Sequence, residues 1–155
     1  MASNPELTCV ISGSFKFKPE IDADMDELRE YNIRVLSPGK GWLYTPKLAV
    51  VKNIGIRPLP DERWMEVDEI EPSFLYHMDN SHFVYLHNQE GYVGEMVGFE
   101  MGWAMRGGKP IYAKETLNYD AMQWDNPFTF PALEKYVKVM PIPDIRDDYL
   151  STQTP

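Results

Sequence analysis

Cysteine is nearly absent from this sequence, since Cys9 is the single one among 155 residues. One cysteine excludes an internal disulfide, because that bond needs two thiols at close range. Cys9 lies within an apolar run, and free cysteines are among the most buried residue types, so a buried structural thiol is predicted. The chain also has three histidines. Without closely spaced cysteine and histidine pairs, we predict no metal site and no cofactor.

Positive charge is scarce as well. The chain has 15 lysines and arginines against 24 aspartates and glutamates, which gives a formal net charge of −9. Polymeric nucleic acid is normally bound through a basic face, so this balance argues against DNA or RNA as a partner. It leaves open a small anionic ligand, which needs only a few local donors.

Long apolar runs are also missing. No stretch approaches the roughly 18 apolar residues of a membrane-spanning helix, so neither a membrane span nor a membrane partner is expected. The opening MASNPELTCVISGSF has no basic region before its apolar part. We therefore expect it to form a strand of the mature domain rather than a signal peptide, and we expect a cytoplasmic location.

The sequence alternates between strand and helix patterns without an internal repeat, and its length suits one domain over residues 1–155. Apolar runs bounded by turn residues predict strands at 7–15, 33–41, 82–88 and 109–115. Helical spacing of apolar residues, with proline or acidic residues near the start, predicts helices at 19–32, 68–81, 95–106 and 131–139, followed by a polar end. Residues 42–60 fit a strand, a hairpin or an irregular segment, and no element is assigned to them.

This alternation predicts an α/β fold of the flavodoxin or Rossmann-like type, a three-layer sandwich with a mostly parallel central sheet. Ligands of such sheets bind at the carboxyl ends of strands, near a switch in strand order. The turns SGSF and NQEGYVG each follow a predicted strand. Both are therefore expected at the same edge of the sheet, where a ligand site would lie.

The helix predicted at 95–106 carries a glutamate in an unusual place. On a helical wheel, Glu100 lies between Met96 and Trp103 on one side and Val97 and Ala104 on the other, at the centre of an apolar arc. A carboxylate among apolar neighbours is costly unless it is paired or functional. Glu100 is therefore either paired, placed at an exposed margin, or a functional residue, whereas Glu95 is interpreted as a solvated first-turn carboxylate.

Several motifs occur in a characteristic order along the chain. The strand SHFVYLHN is followed by N-x-x-G-Y-x-G, then by E-x-G-x-A within a helix, and then by GKPIY at the next strand; SGSF and VLSP precede them. In this order they resemble the nucleoside 2-deoxyribosyltransferase-like superfamily, which includes nucleoside 5′-monophosphate N-glycosidases and cytidine monophosphate hydrolases. The resemblance spans roughly residues 8–115.

The resemblance implies a role for each matched position. Glu100, in E-x-G-x-A, would be the nucleophile that attacks the anomeric carbon of the sugar. The first loop would hold the sugar or its 5′-phosphate, through Ser12, Gly13, Ser14, Phe15 and Lys16. The second glycine-rich turn would contribute Asn88, Gly91, Tyr92 and Gly94. The apolar arc around Glu100 is then interpreted as one wall of a sugar and base pocket.

Two further expectations come with the resemblance. Many relatives carry an acidic residue six positions before the catalytic glutamate, where this chain has Gly94, and several carry an aspartate or histidine near the position of Phe74 and an aspartate at the position of His82. Glu71, His77 and Asp79 are candidates to replace the missing group, and the sequence does not choose among them. Relatives also complete their pockets across a subunit contact, so a homodimer or larger homo-oligomer is expected, with the helix near 95–106 at the contact.

Two hypotheses about function follow. The first is an enzyme that hydrolyses or transfers at the N-glycosidic bond of a nucleoside or nucleoside 5′-monophosphate, with Glu100 as the nucleophile. The alternative is a non-catalytic module of the same fold that binds or senses a nucleotide. In both cases the partner is a small nucleoside or nucleotide. The motifs select neither the base nor the sugar.

Overall fold

The computed structural model describes residues 4–40, 43–44, 54–57, 65–121 and 129–153. Most of residues 42–60, to which the sequence assigned no element, lie outside the described residues. Within the described residues, no helix has the length and apolar character needed to cross a membrane.

The core of the molecule is a parallel sheet. Its strands are β1 (Leu7–Gly13), β2 (Ile33–Ser37), β6 (Phe83–His87), β7 (Ile111–Ala113) and β8 (Lys138–Val139). Their spatial order is β2-β1-β6-β7-β8, and each neighbouring pair is parallel. Three short strands, β3 (Leu43–Tyr44), β4 (Ile54–Arg57) and β5 (Met65–Glu66), form a separate antiparallel sheet.

Helices cover both faces of the parallel sheet. They are α1 (Lys18–Glu30), α2 (Val67–Asp79), α3 (Glu95–Arg106), α4 (Thr129–Tyr136) and α5 (Ile142–Thr152). One apolar cluster joins one sheet face to α2, α3 and α4, and a second joins the opposite face to α1 and α5. The predicted α/β three-layer sandwich with a parallel central sheet is therefore confirmed.

Local signals explain where the helices begin and end. Pro19 occupies the first turn of α1, where its missing N–H costs nothing. Helix α3 begins directly after Gly94 and ends at Arg106, directly before Gly107. Gly108 follows with φ of 67°, a left-handed conformation that suits glycine. Cys9 is fully buried on β1, and burial raises the pKa of its thiol, so the predicted structural thiol is confirmed.

The prediction of a polar end after residue 139 is wrong. Residues Ile142–Thr152 form α5, and its apolar side chains Ile142, Ile145 and Tyr149 are buried in the core. These residues recur at spacings of three and four, which is the spacing of one helix face. The charged residues between them concealed this face in the sequence.

The strand order indicates where a ligand crevice would lie. Counted in chain order, the five parallel strands lie in the order 2-1-3-4-5, in which the direction of winding reverses between β1 and β6. Gly13 of β1 pairs with His87 of β6 at the carboxyl ends of these strands. Both glycine-rich turns leave the sheet at this edge, as the sequence predicted.

Candidate active site

The centre of the candidate site is a bond between β1 and α3. Alternation along β1 directs the side chain of Ser12 toward the face that α3 covers. The Ser12 hydroxyl donates a hydrogen bond of 2.5 Å to Oε1 of Glu100. Ser12 is 1% exposed and Glu100 is 7% exposed. A buried carboxylate therefore lies at the carboxyl end of a central strand, where ligands of this fold bind.

Glu71 supplies a second carboxyl group from α2. Its side chain lies within hydrogen-bonding range of Glu100. The Oε1 atom of Glu71 is buried and has no hydrogen-bond donor among the residues that the structure describes. Two ionised carboxylates cannot hydrogen-bond to each other, because neither carries a donor. The pair is therefore satisfied when it holds one proton, as in the carboxyl dyads of other enzymes.

The surroundings of the pair favour retention of that proton. Burial raises the pKa of Glu100 well above its usual range, and the hydrogen bond and negative charge of Glu71 raise it further. Burial also raises the pKa of Glu71, and the hydrogen bond with Glu100 partly offsets this increase. The Ser12 hydroxyl acts in the other direction and lowers the pKa of Glu100. This effect is smaller than those of burial and of Glu71, so Glu100 is the group of the two that retains the proton in this arrangement, and Ser12 lowers the cost of ionising it.

A cavity of about 60 Å³ opens beside the pair. It is lined by residues from β1 and its following turn, from the end of β2, and from α2 and α3: Ile11, Gly13, Phe15, Ser37, Pro38, Ile70, Glu71, Phe74 and Glu100. This lining combines two carboxyl groups and one hydroxyl with aromatic and aliphatic walls, and the described residues that form it include no lysine, arginine or histidine. Its chemistry suits a neutral, hydroxyl-bearing group flanked by a flat apolar one.

The predicted residues of the first loop divide into two groups. Gly13 and Phe15 line the cavity, and Ser12 contacts Glu100 directly. Ser14 instead caps a short 3-10 turn, where its hydroxyl accepts from the backbone N–H of Lys16. The ammonium of Lys16 lies 3.4 Å from the ring centroid of Tyr92. Lys16 therefore lies beside the second glycine-rich turn rather than in the lining of the cavity.

The predicted residues of the second turn lie next to the site and hold its turns in place. The Asn88 side chain bonds to both the carbonyl and the N–H of Glu115, which fixes the turns after β6 and β7 together. Gly91 has φ of 75°, and a Cβ there would lie 2.6 Å from Asn118. Gly94 packs beneath Tyr92. None of these residues is among those that line the cavity in the described part of the chain, so their contact with substrate stays a prediction.

The structure distinguishes the three candidates for the missing acidic group. Glu71 faces Glu100. His77 packs against the ring of Tyr76, and Asp79 accepts a hydrogen bond from the indole N–H of Trp103 at 3.0 Å. Glu71 is therefore the acidic group that the fold brings to the site.

Five lining residues were not among the site residues predicted from the sequence: Ile11, Ser37, Pro38, Ile70 and Phe74. Ile70 and Phe74 lie one helical turn apart on α2, and Glu71 precedes Phe74 by three positions, so all three share a face. This spacing was a usable signal. What it could not show is that this face of α2 lies against α3.

The apolar arc on α3 is only half buried, and none of its four residues is among those that line the cavity, so its interpretation as one wall of a pocket stays a prediction. Val97 and Ala104 are buried, but Met96 is 55% exposed and Trp103 is 43% exposed. Glu100 therefore lies at the boundary between a buried and an exposed apolar surface. Neither Met96 nor Trp103 is among the residues that line the cavity.

A second buried polar cluster lies on the opposite face of the sheet. His87 bonds to Asp24 of α1 through Nδ1 at 2.5 Å and contacts Gln89 through Nε2 at 3.2 Å. Lys114 bonds to the other oxygen of Asp24 at 3.1 Å. Since both ring nitrogens are engaged, we interpret this cluster as a tie between α1 and the ends of β6 and β7.

Comparisons with known proteins bear on the fold. No protein-family model matches the chain, and no curated protein matches it significantly. Among solved structures, the chain is similar to a conserved protein from Enterococcus faecalis V583, with a TM-score of 0.53 and 12% identity over 96% of this chain and 99% of that chain. At this identity the likeness shows the fold alone, and it agrees with the α/β sandwich.

The carboxyl pair predicts how stability depends on pH. A carboxyl whose pKa is raised by folding stabilises the folded state below its unfolded pKa, near 4.3 for glutamate. This stabilisation is lost as the pH rises through the folded pKa. The Glu100→Gln variant loses one buried titrating carboxyl group, and the remaining group, Glu71, no longer faces a second carboxyl. The variant should therefore gain free energy of unfolding relative to wild type between pH 5 and pH 8. The gain should be about 1.4 kcal/mol for each unit by which folding raises the pKa.

Urea unfolding of both proteins across this range would measure the gain. Groups shared by the two proteins, including the three histidines, cancel in the comparison. Parallel curves of stability against pH would show that the pair does not titrate as a buried dyad.

Proposed function

We propose that this protein cleaves the N-glycosidic bond of a nucleoside or nucleoside 5′-monophosphate, with Glu100 as the nucleophile and Glu71 as the general acid and base. The observation that carries the proposal is the pair itself, a buried carboxylate aligned by Ser12 and facing a second carboxyl at the edge of a cavity. The motif resemblance to nucleoside 2-deoxyribosyltransferase-like proteins supports the substrate class.

In the first step, an oxygen of ionised Glu100 forms a bond to the anomeric carbon as the bond from this carbon to the base nitrogen breaks. The electron pair of the broken bond passes to the base, which takes the proton held by Glu71. The product is a glycosyl ester of Glu100 and a neutral base. This step requires that the proton pass from Glu100 to Glu71 when the substrate binds, and the Ser12 hydrogen bond lowers the cost of ionising Glu100.

In the second step, a water molecule attacks the anomeric carbon and Glu71, now ionised, accepts its proton. The ester bond breaks, Glu100 is released as a carboxylate, and Glu71 again holds the proton. A second base in place of water would complete a transfer instead of a hydrolysis. In either case the pair begins and ends with one proton.

Substrate binding has to separate the two carboxyl groups. Retaining glycosidases hold theirs about 5–5.5 Å apart, whereas Glu71 and Glu100 lie in hydrogen-bonding range of each other. A sugar that enters the cavity replaces this contact with hydrogen bonds from its hydroxyl groups. The affinity for the sugar is then reduced by the free energy of the contact that it breaks.

A second candidate function rests on the raised pKa of Glu100. A carboxyl that is neutral at the working pH is a hydrogen-bond donor rather than a nucleophile. With Glu100 neutral, the same cavity would bind a nucleoside or nucleotide without turnover, and the protein would act as a binding or sensing module.

Incubation with a panel of nucleosides and nucleoside 5′-monophosphates separates these functions. Release of free base, measured by chromatography, supports the glycosidase. Saturable binding by calorimetry without release supports the binding module. If no member of the panel is bound or cleaved at millimolar concentration, both functions are wrong.

The phosphate of a substrate should be recognised outside the carboxyl pair. The cavity lining is acidic, whereas Lys16 is exposed beside Tyr92 in the neighbouring turn. We expect a nucleoside 5′-monophosphate to bind about tenfold more tightly than its nucleoside, because a charge-assisted hydrogen bond contributes about 1.5–3 kcal/mol. Lys16→Ala should remove this difference and leave nucleoside affinity unchanged in calorimetry. Equal affinities of the wild type for both ligands would contradict the prediction.

A further inference from the structure

Ser37, the last residue of β2, carries a buried hydroxyl group beside the carboxyl pair. Its side chain is 3% exposed and lines the cavity. Among the residues that the structure describes, this hydroxyl has no hydrogen-bond partner. The similarly buried Ser81, in contrast, bonds to the carbonyl oxygens of Met78 and Phe83 at 2.8 and 3.2 Å. A buried polar group without a partner is unfavourable unless water or a ligand completes it.

A bulge in β2 turns Ser37 toward the cavity. The register of β2 against β1 shifts between Cys9 and Val10, and Leu36 is the residue that it skips. Ser37 therefore pairs with Val10, whose side chain belongs to the apolar cluster beneath α2 and α3. Strict alternation along β2 would direct Ser37 to the opposite face, together with Val35. The extra residue re-aims Ser37 to the side of the candidate site, as bulges next to active sites do.

Ser37 and Ser12 lie over the same face of the sheet. Ser37 is level with Val10 on the neighbouring strand, and Ser12 lies two residues further along β1, so their Cα atoms are about 8 Å apart. The Ser12 hydroxyl donates to Glu100, which places the carboxyl group of Glu100 above this face. The cavity therefore has two polar positions over the sheet, the carboxyl pair at one and the Ser37 hydroxyl at the other.

The stereochemistry of a nucleoside determines which groups would meet this face. The 2′- and 3′-hydroxyls lie on the side of the ring opposite to the base, and a nucleophile that displaces the base attacks from that side. With Glu100 as the nucleophile, both hydroxyls face the sheet. The 2′-hydroxyl is on the carbon next to the anomeric carbon, within reach of the attacking carboxylate. The 3′-hydroxyl is one carbon further away, on the side of Ser37.

We infer, on the basis of the proposed function, that Ser37 is a specificity-determining residue that binds the 3′-hydroxyl of the sugar. A serine hydroxyl can both donate to and accept from a second hydroxyl, so the bound sugar gives this buried group a partner. A 3′-phosphate is excluded from the same position, because the negative charge of the carboxyl pair repels it. The protein therefore acts on nucleosides and 5′-monophosphates with a free 3′-hydroxyl, and not on 3′-phosphorylated nucleotides or internal positions of a nucleic acid chain.

Substrates that lack one hydroxyl test this assignment. The best nucleotide of the panel is compared with its 2′-deoxy and 3′-deoxy counterparts, by kcat/KM for release of free base and by calorimetric affinity. Wild type should lose at least about tenfold on the 3′-deoxy nucleotide, because the Ser37 hydroxyl then stays buried without a partner. Ser37→Ala should lose a similar factor on the intact and 2′-deoxy nucleotides, and it should treat the intact and 3′-deoxy nucleotides alike. A purely structural residue would instead lower all three substrates in proportion.

Ser81→Ala is the matched control, because Ser81 is a buried serine that is not among the residues lining the cavity. It should keep the wild-type preference for the 3′-hydroxyl and unfold at lower urea concentration, since it loses its bonds to two carbonyl oxygens. Ser37→Ala should unfold at the same or a higher urea concentration than wild type, because it removes a buried hydroxyl without a partner among the described residues.

The outcomes separate the role of Ser37 from the proposed function. A nucleotide that is bound or cleaved equally well with and without its 3′-hydroxyl would overturn the role of Ser37 and leave the proposed function in place. So would a Ser37→Ala variant that keeps the wild-type preference, or one that loses discrimination against the 2′-deoxy nucleotide instead. If no nucleoside or nucleotide is bound or cleaved at all, the proposed function is wrong, and the role of Ser37 is wrong with it.

Discussion

Glu100→Gln should lower turnover by about 10²-fold or more, the order expected when a principal catalytic group is removed. Glutamine keeps the size of the side chain and can still accept the hydrogen bond from Ser12, which is 2.5 Å long in the native protein. It cannot form the glycosyl ester that the proposed first step requires. Because an amide is less costly to bury than an unpaired carboxylate, the variant should fold. Steady-state release of free base from the best nucleotide of the panel would measure the loss.

The same substitution at Glu95 is an internal control, since both residues belong to α3. Glu95 is exposed at the first turn, so Glu95→Gln should lower turnover far less. Single-turnover experiments with Glu100→Gln should show no base released within the time that the wild type needs for one turnover. If Glu100→Gln turns over substrate like the wild type, the nucleophile has been wrongly assigned, whatever its effect on stability.

Local signals in the sequence were sufficient to predict most of the helices and strands near the site. Helix α3 has the predicted bounds, Glu95–Arg106, because glycines mark both of its ends. Strand β1 ends where glycine and serine interrupt a β-branched run. The alternation of helices with strands was enough to predict a parallel sheet. The edge of the sheet at which Ser12 lies was therefore predictable.

The partner of Glu100 was not predictable, because it depends on where α2 lies across the sheet. Glu71, His77 and Asp79 all belong to α2, and nothing in their spacing shows which of them meets α3. Which residues are buried could not be predicted for the same reason. The helical wheel placed Glu100 at the centre of an apolar arc, yet Met96 and Trp103 on one side of that arc are exposed. A wheel shows which residues share a face but not which neighbour covers it.

The two glycine-rich turns illustrate the difference between a motif and a contact. Gly13 lines the cavity, and a Cβ there would lie 2.9 Å from the carbonyl oxygen of His87. Asn88 is fully buried, and its side chain hydrogen-bonds to the backbone of Glu115. Both positions belong to matched motifs, but one borders the cavity and the other holds two turns together. Only the three-dimensional arrangement separates these roles.

Glu71→Gln should lower turnover by about 10²- to 10⁴-fold on substrates whose base leaves as a strong base, the usual range for general acid catalysis. The variant cannot give a proton to the departing base or take one from water. Its Glu100 should also ionise at lower pH, because the hydrogen bond and charge of Glu71 both raise the pKa of Glu100. The acid limb of the pH profile should therefore move to lower pH as the maximum rate falls.

The leaving group distinguishes a proton donor from a structural residue. With an activated ribosyl substrate such as a nitrophenyl riboside, departure needs no proton, so Glu71→Gln should form the glycosyl ester nearly as fast as wild type in a pre-steady-state burst. Glu100→Gln should show no burst with either substrate. Exposed Glu69 of the same helix provides the control substitution, and Glu69→Gln should behave like wild type. Equal losses of Glu71→Gln on activated and ordinary substrates would mean that Glu71 shapes the cavity rather than transfers the proton.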